Sequence, residues 1–183
     1  DALRRHGADT NLISGPVNIK DPENVKVTKV NSAEEMLHKC RESLPVDIAV
    51  FAAAVSDWRC SNTSNIKIKK TSENDELILN LEKNQDILKE ISTLNKNRPD
   101  LVIGFSLETD NLIETAKEKL KNKSCDWIVA NEHYNGKESV FDSDMNSVKL
   151  VENDNLEDWG YLTKNDVAEK LCIKISKFFN EAA

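Results

Sequence analysis

Lys67, Lys69 and Lys70 fall in a stretch where lysines alternate with Ile66 and Ile68. In an extended chain that alternation puts Lys67 and Lys69 on one face and Ile66, Ile68 and Lys70 on the other. Ammonium groups carried on a strand pair can close over a triphosphate and neutralise its charge. The same lysines also suit an edge strand that uses charge to block strand-to-strand aggregation, and the pattern leaves both readings open. A second basic series, Lys117, Lys119, Lys121 and Lys123, lies in a helical pattern. Lys119 and Lys123 are four apart and share one face near the helix C-terminus, where they can bind a phosphate or simply complement the helix dipole.

Three apolar runs end in residues of a different kind. Ile48 to Ala54 runs into Val55-Ser56-Asp57, Leu101 to Phe105 runs into Ser106-Leu107-Glu108-Thr109, and Trp127 to Ala130 runs into Asn131. Small residues such as Ala53 and Ala54 let a planar ligand approach the backbone, with Asp57 and Glu108 as nearby carboxylates. Tight packing for the alanines, and caps or turns for Asp57, Glu108 and Asn131, explain the same residues without a ligand. Cys40, Cys60, Cys125 and Cys172 have no C-x-x-C spacing, and His6, His38 and His133 have no metal-site spacing relative to them. These thiols read as buried or inert, and Cys125 as a core residue at a strand entry. Trp127 is expected in the core, Trp159 in a loop, and Trp58 beside the Asp57 site.

The elements that must position these groups alternate. Asp1 to His6 reads as the end of a helix closed by Gly7, followed by a strand from Thr10 to Ser14 and a Gly15-Pro16 turn. A strand over Val25 to Val30 leads to a capping box, Ser32-Ala33-Glu34-Glu35, and a helix to about Glu42. The continuous apolar run from Ile48 suits a strand buried on both faces. A flap over about 61–82 is expected to be a β-hairpin whose returning arm is Leu77, Leu79 and Leu81 and whose polar tip suits mobility. Next come an Asn84-capped helix to about Leu94, a strand at Leu101 to Phe105, a helix from Asn111 to Asn122 and a strand at Trp127 to Ala130. A polar stretch leads to an edge strand at Ser147 to Val151, and Thr163 to Asp166 caps a final amphipathic helix ending near Phe179. The expected fold is α/β, a doubly wound, Rossmann-like, mostly parallel sheet with an inserted hairpin flap. Its ligands belong beyond the carboxyl ends of the strands.

With 183 residues and 39% hydrophobic content, the chain suits one domain with its own core. A net charge of −7 argues against a protein that lives on nucleic-acid phosphates. No apolar run reaches membrane-spanning length and no secretory signal opens the chain, so a soluble cytoplasmic protein is expected. No G-x-G-x-x-G opens a helix, which disfavours a dinucleotide oxidoreductase on this fold. A nucleotide-binding domain of this type needs a strand and phosphate loop ahead of the first helix, so a preceding segment is expected.

In order and spacing the chain resembles the phosphopantothenoylcysteine synthetase family. The matching segments are Leu12-Ile13-Ser14-Gly15-Pro16-Val17, Ala52 to Trp58, Lys67-Ile68-Lys69-Lys70, Lys83-Asn84-Gln85-Asp86-Ile87 and Gly104-Phe105 with Glu108-Thr109. Lys119 and Lys123, Asp126 to Asn131, and Phe141-Asp142-Ser143-Asp144 complete the set, which covers nearly the whole chain. The resemblance implies a ligase of coenzyme A biosynthesis that joins 4'-phosphopantothenate to cysteine through an acyl-cytidylate, using CTP with Mg²⁺ and releasing pyrophosphate and CMP. It implies nucleotide contacts at Ala53, Ala54, Asp57, Lys67, Phe105, Lys119 and Lys123, with Lys67 the catalytic flap lysine. It implies a homodimer, and in bacteria often a fused flavin-dependent decarboxylase, to which nothing in this chain is similar.

Two departures qualify the resemblance. The family's glycine-rich N-terminal motif and its asparagine have no counterpart here, so a non-catalytic nucleotide-binding relative is the alternative. Ser106-Leu107 stands where many bacterial members have alanines, and Leu107-Glu108-Thr109-Asp110 resembles the ATP-using branch, while the Lys67 to Lys70 segment is similar to the CTP-using one.

Overall fold

A computed structural model describes residues 1–62, 78–108, 111–132 and 144–181. The chain opens with helix α1 (Ala2–Arg5), which ends at Gly7 in a left-handed conformation, φ +92°. Strands β1 (Asn11–Ser14) and β2 (Lys26–Lys29) form a two-stranded parallel sheet. Helix α2 (Ala33–Glu42) starts where the capping signature places it: Ser32 Oγ accepts from the Glu35 N–H at 3.1 Å. The Glu35 carboxylate accepts from the Asn31 N–H at 2.8 Å, so two N–H groups at the helix start gain acceptors.

A second sheet has the order β3 (Ile48–Phe51), β6 (Leu101–Glu108), β7 (Trp127–Glu132), β8 (Met145–Val151), β9 (Leu156–Thr163). Its first two ladders are parallel and its last two antiparallel, giving the mixed α/β architecture with a mostly parallel centre that the alternating elements imply. Helices α3 (Ile87–Ser92) and α4 (Leu112–Lys123) supply the crossovers between β3 and β6 and between β6 and β7. Helix α5 (Lys164–Glu181) closes the described chain. Thr163 Oγ1 accepts from the Asp166 N–H at 3.0 Å, the expected cap.

Strand alternation sorts the core into two layers. Leu101, Ile103, Val129, Val148 and Leu150 face α5 with Trp127 and Trp159, and Leu3 of α1 packs against them. Lys170 lies over the Trp159 ring at 5.2 Å and Lys174 over Trp127 at 5.9 Å. On the other face Val102, Ile128, Ala130 and Val151 meet Leu112, Ala116 and Leu120 of α4. Leu37 of α2 and Ile87 and Ile91 of α3 make a third cluster that Phe51 joins.

Four expectations need correction. All four residues of β3 are only half-buried, because β3 is the end strand of its sheet and not an interior one. Strand β8 is the reverse: expected at an edge, it lies between β7 and β9. Trp159, expected in a loop, sits buried on β9, whose pairing with β8 includes a bulge at Val148/Lys149, with Gly160 at φ +72°. Asp86, not Asn84, caps α3, its carboxylate accepting from the Lys89 N–H at 3.1 Å.

The expected flap falls mostly on residues outside the described ones. At its flanks a short antiparallel pair, β4 (Trp58–Cys60) with β5 (Leu81–Lys83), is present, and Arg59 Nε donates to Glu82 at 2.8 Å across it. No described helix is long and apolar enough to cross a membrane.

Candidate functional site

Residues 105–108 of β6 extend past the β3 ladder, which stops at Phe51 opposite Gly104. At this end of the sheet β3 gives way to the segment 52–57, exposed throughout, so Ala53, Ala54 and Asp57 present themselves to solvent. The Asp57 carbonyl accepts from the Asn84 N–H at 2.8 Å, and Asn84 Nδ2 donates to the Ser56 carbonyl at 2.8 Å. These bonds tie the segment after β3 to the start of α3.

Of the four lysines of α4, Lys119 and Lys123 are each held by a carboxylate. Lys119 Nζ donates to Glu108 Oε1 at 2.6 Å, and Glu108 is buried at the end of β6. Lys123 pairs with Asp86, the α3 cap, so one carboxylate both starts a helix and fixes an ammonium. Burying a carboxylate is expensive unless a cation answers it, which gives Glu108 and Lys119 a reason to stay together. Both lysine side chains are partly exposed, at 40% and 31%. An incoming phosphate can therefore reach them.

Phe105 points to the other face of β6, where it packs half-buried against the α5-side core. The structure thus brings Lys119 and Lys123 together with Glu108 and Asp86, places Ala53, Ala54 and Asp57 on the adjoining exposed segment, and puts Phe105 behind the sheet. Lys67 lies outside the described residues. Asn131, at the carboxyl end of β7, accepts from Asn146 Nδ2 at 3.4 Å. Among the described residues no group of His, Cys, Asp and Glu side chains forms a metal cage. Mg²⁺ takes oxygen ligands, keeps several waters and is commonly held by substrate phosphates, and the exposed Asp57 carboxylate is an oxygen donor of the kind it accepts.

Sequence reasoning missed the partners of the lysines. Glu108 was visible as a carboxylate after a strand, but its pairing with Lys119 spans the β6–α4 connection. Asp86 was hidden behind Asn84, an equally good cap type two residues earlier. Cys125 is buried, as expected of a core residue at a strand entry, and that burial pushes its thiol up to about 11.

Residues 1–179 match the family model described as the DNA/pantothenate metabolism flavoprotein C-terminal domain. The coenzyme A biosynthesis bifunctional protein CoaBC of Haemophilus influenzae is 39% identical over 151 residues, which cover 82% of this chain and 36% of that protein. The CoaBC of Borreliella burgdorferi is 38% identical over 170 residues, covering 90% of this chain and 41% of that one. The chain therefore spans less than half the length of these relatives. A crystal structure of the C-terminal domain of a CoaBC protein superposes with a TM-score of 0.78 at 29% identity, covering 98% of this chain and 79% of that one.

Proposed function

The chain belongs to the DNA/pantothenate metabolism flavoprotein C-terminal domain family, and from that premise we propose that it is the ligase domain that joins 4'-phosphopantothenate to cysteine in coenzyme A biosynthesis. The observation that supports this reading is the pair of α4 ammonium groups, Lys119 and Lys123, held by Glu108 and Asp86 beside the exposed 52–57 segment. In this reading the nucleotide is CTP carrying Mg²⁺. Its base lies against Ala53 and Ala54, Asp57 takes a polar contact, and Phe105 supports the floor from behind. Lys119 and Lys123 neutralise the phosphates.

The substrate carboxylate attacks the α-phosphorus and pyrophosphate leaves, giving an acyl-cytidylate. The cysteine amine then attacks the acyl carbon, CMP leaves, and the amine proton passes to solvent. Nucleotidyl transfer of this kind needs positioning and charge neutralisation more than a protein nucleophile, and lysines supply both. Lys67 shields and stabilises the activated acyl group while cysteine arrives. The enzyme works in the cytoplasm as a homodimer, with a flavin-dependent decarboxylase as a fused or associated partner. Trp58 and Leu81 on the β4–β5 pair, with Ile78 and Leu79 beside them, are all more than half exposed and supply an apolar surface for a second copy.

Calorimetric titration of Mg–CTP and Mg–ATP into the full-length protein tests the reading. CTP-selective binding, lost in Lys119→Ala, is the expected result. Preference for ATP would move the chain to the ATP-using variant of the same ligase, and binding of neither nucleotide would overturn the nucleotide site.

A further inference from the structure

Among the described residues only two fully buried side-chain polar atoms lack a hydrogen-bond partner, Ser106 Oγ and Asn146 Oδ1. A buried hydroxyl left unpaired has given up its hydrogen bonds to water for nothing in return, so its persistence calls for a physical reason. Asn146 at least engages Asn131 through its amide nitrogen. Ser106 has no such second contact.

Position decides what the hydroxyl can serve. Ser106 follows Gly104 by two residues and so shares its face of β6, the α4 side. At Gly104 that face is sealed: a Cβ there would lie 2.7 Å from Leu88 Cδ2 and 2.9 Å from Ile128 Cδ1. Ser106 is the first position on this face beyond the seal and beyond the end of the β3 ladder. Its ladder partner on β7 is Ala130, which offers no polar atom from its side chain. The next residue on the same face is Glu108, which holds Lys119.

We propose that the Ser106 hydroxyl is a ligand-binding group that hydrogen-bonds the nucleoside part of the nucleotide whose phosphates Lys119 and Lys123 receive. This rests on the nucleotide-site reading above. A neutral hydroxyl can donate and accept, which suits a sugar hydroxyl or a base edge, while the ammonium groups serve the anionic end. The energetic signature is unusual: an unpaired group that destabilises the free protein becomes paired only when ligand arrives.

Thermal unfolding and titration of Ser106→Ala, in the full-length protein and beside wild type, test this with Mg–CTP, Mg–ATP and inorganic triphosphate. The free variant should melt at or above the wild-type temperature. Its affinity for the preferred nucleoside triphosphate should fall about threefold to tenfold, the range for one lost neutral hydrogen bond, while its affinity for inorganic triphosphate should not change. Ser106→Thr, which keeps the hydroxyl, should retain more of the affinity than Ser106→Ala. A lower melting temperature with unchanged nucleotide affinity would overturn the proposal, because the hydroxyl would then serve the fold, directly or through an internal water. Equal losses for nucleotide and inorganic triphosphate would overturn the nucleoside assignment. Wild-type protein that binds neither nucleotide would overturn the site reading itself, a failure recognised before any variant is made.

Discussion

The two ends of β6 are built on opposite principles. At its start, Arg98 directs a nitrogen to both oxygens of Asp126 at 3.0 Å and donates to the Ser92 and Pro99 carbonyls at 2.7 and 2.8 Å. Asp126 also accepts from the Val102 N–H at 2.7 Å, and Leu101, Val102 and Ile103 above it are wholly buried. At its far end the strand outruns its β3 neighbour, carries an unpaired hydroxyl and a buried carboxylate, and borders an exposed segment. One end meets every polar demand locally and stabilises the fold. The other leaves the Ser106 hydroxyl without a partner, a group that the ligand of the proposed site would satisfy.

Breaking the closed end should have the largest effect. Asp126→Ala leaves the buried Val102 N–H without its acceptor and removes a partly solvated partner of Arg98, which keeps its carbonyl acceptors, and is expected to lower unfolding stability by roughly 2 kcal/mol, read as a reduced urea midpoint with an unchanged slope. The nucleotide affinity of the folded fraction should hold. Lys123→Ala reverses the pattern at the open end: nucleotide affinity should fall at least tenfold by titration, while stability shifts by about 1 kcal/mol or less, because the pair it breaks is partly solvated. A variant that lost both together would erase the distinction between the two ends.

The smallest effect concerns pH and lies away from both ends, on β9. The Lys174 ammonium, followed by the Trp159 N–H, holds the Glu157 carboxyl below its usual range. A carboxyl depressed in the folded state adds stability above its unfolded pKa and loses that contribution as pH falls through the folded value. Glu157→Gln should therefore flatten the acid limb of the stability curve and leave nucleotide binding alone. An acid limb identical to wild type would show that this carboxylate does not link folding to pH.

What the sequence discloses about this molecule follows the range of the forces involved. The caps at Ser32 and Thr163 depend on residues three apart, and both helices start where those residues say. Strands β6 and β7 are legible because burial on both faces leaves continuous apolar runs. Strand β9 is not, since Leu156-Glu157-Asp158-Trp159-Gly160 lacks alternation and is extended only through its bulged ladder with β8. The half-burial of β3 depends on which strands flank it, a non-local fact. At the site, helical spacing put Lys119 and Lys123 on one face. Their carboxylate partners come from other elements, and so did not register. The Ser106 hydroxyl looked like a departure from a family pattern, and only its lack of any partner gives it chemical meaning.

The placement of the three tryptophans has an optical consequence. Trp127 and Trp159 are sealed in the α5-side core beneath Lys174 and Lys170, whereas Trp58 stands 56% exposed on β4. Excited at the indole band, the protein emits from two shielded fluorophores and one open to a soluble quencher such as acrylamide. The quenchable fraction therefore reports on the β4–β5 pair alone. Any closure over nucleotide or pairing with a second copy that covers this ribbon should shift that fraction to the blue, using light the chain already emits and no attached label.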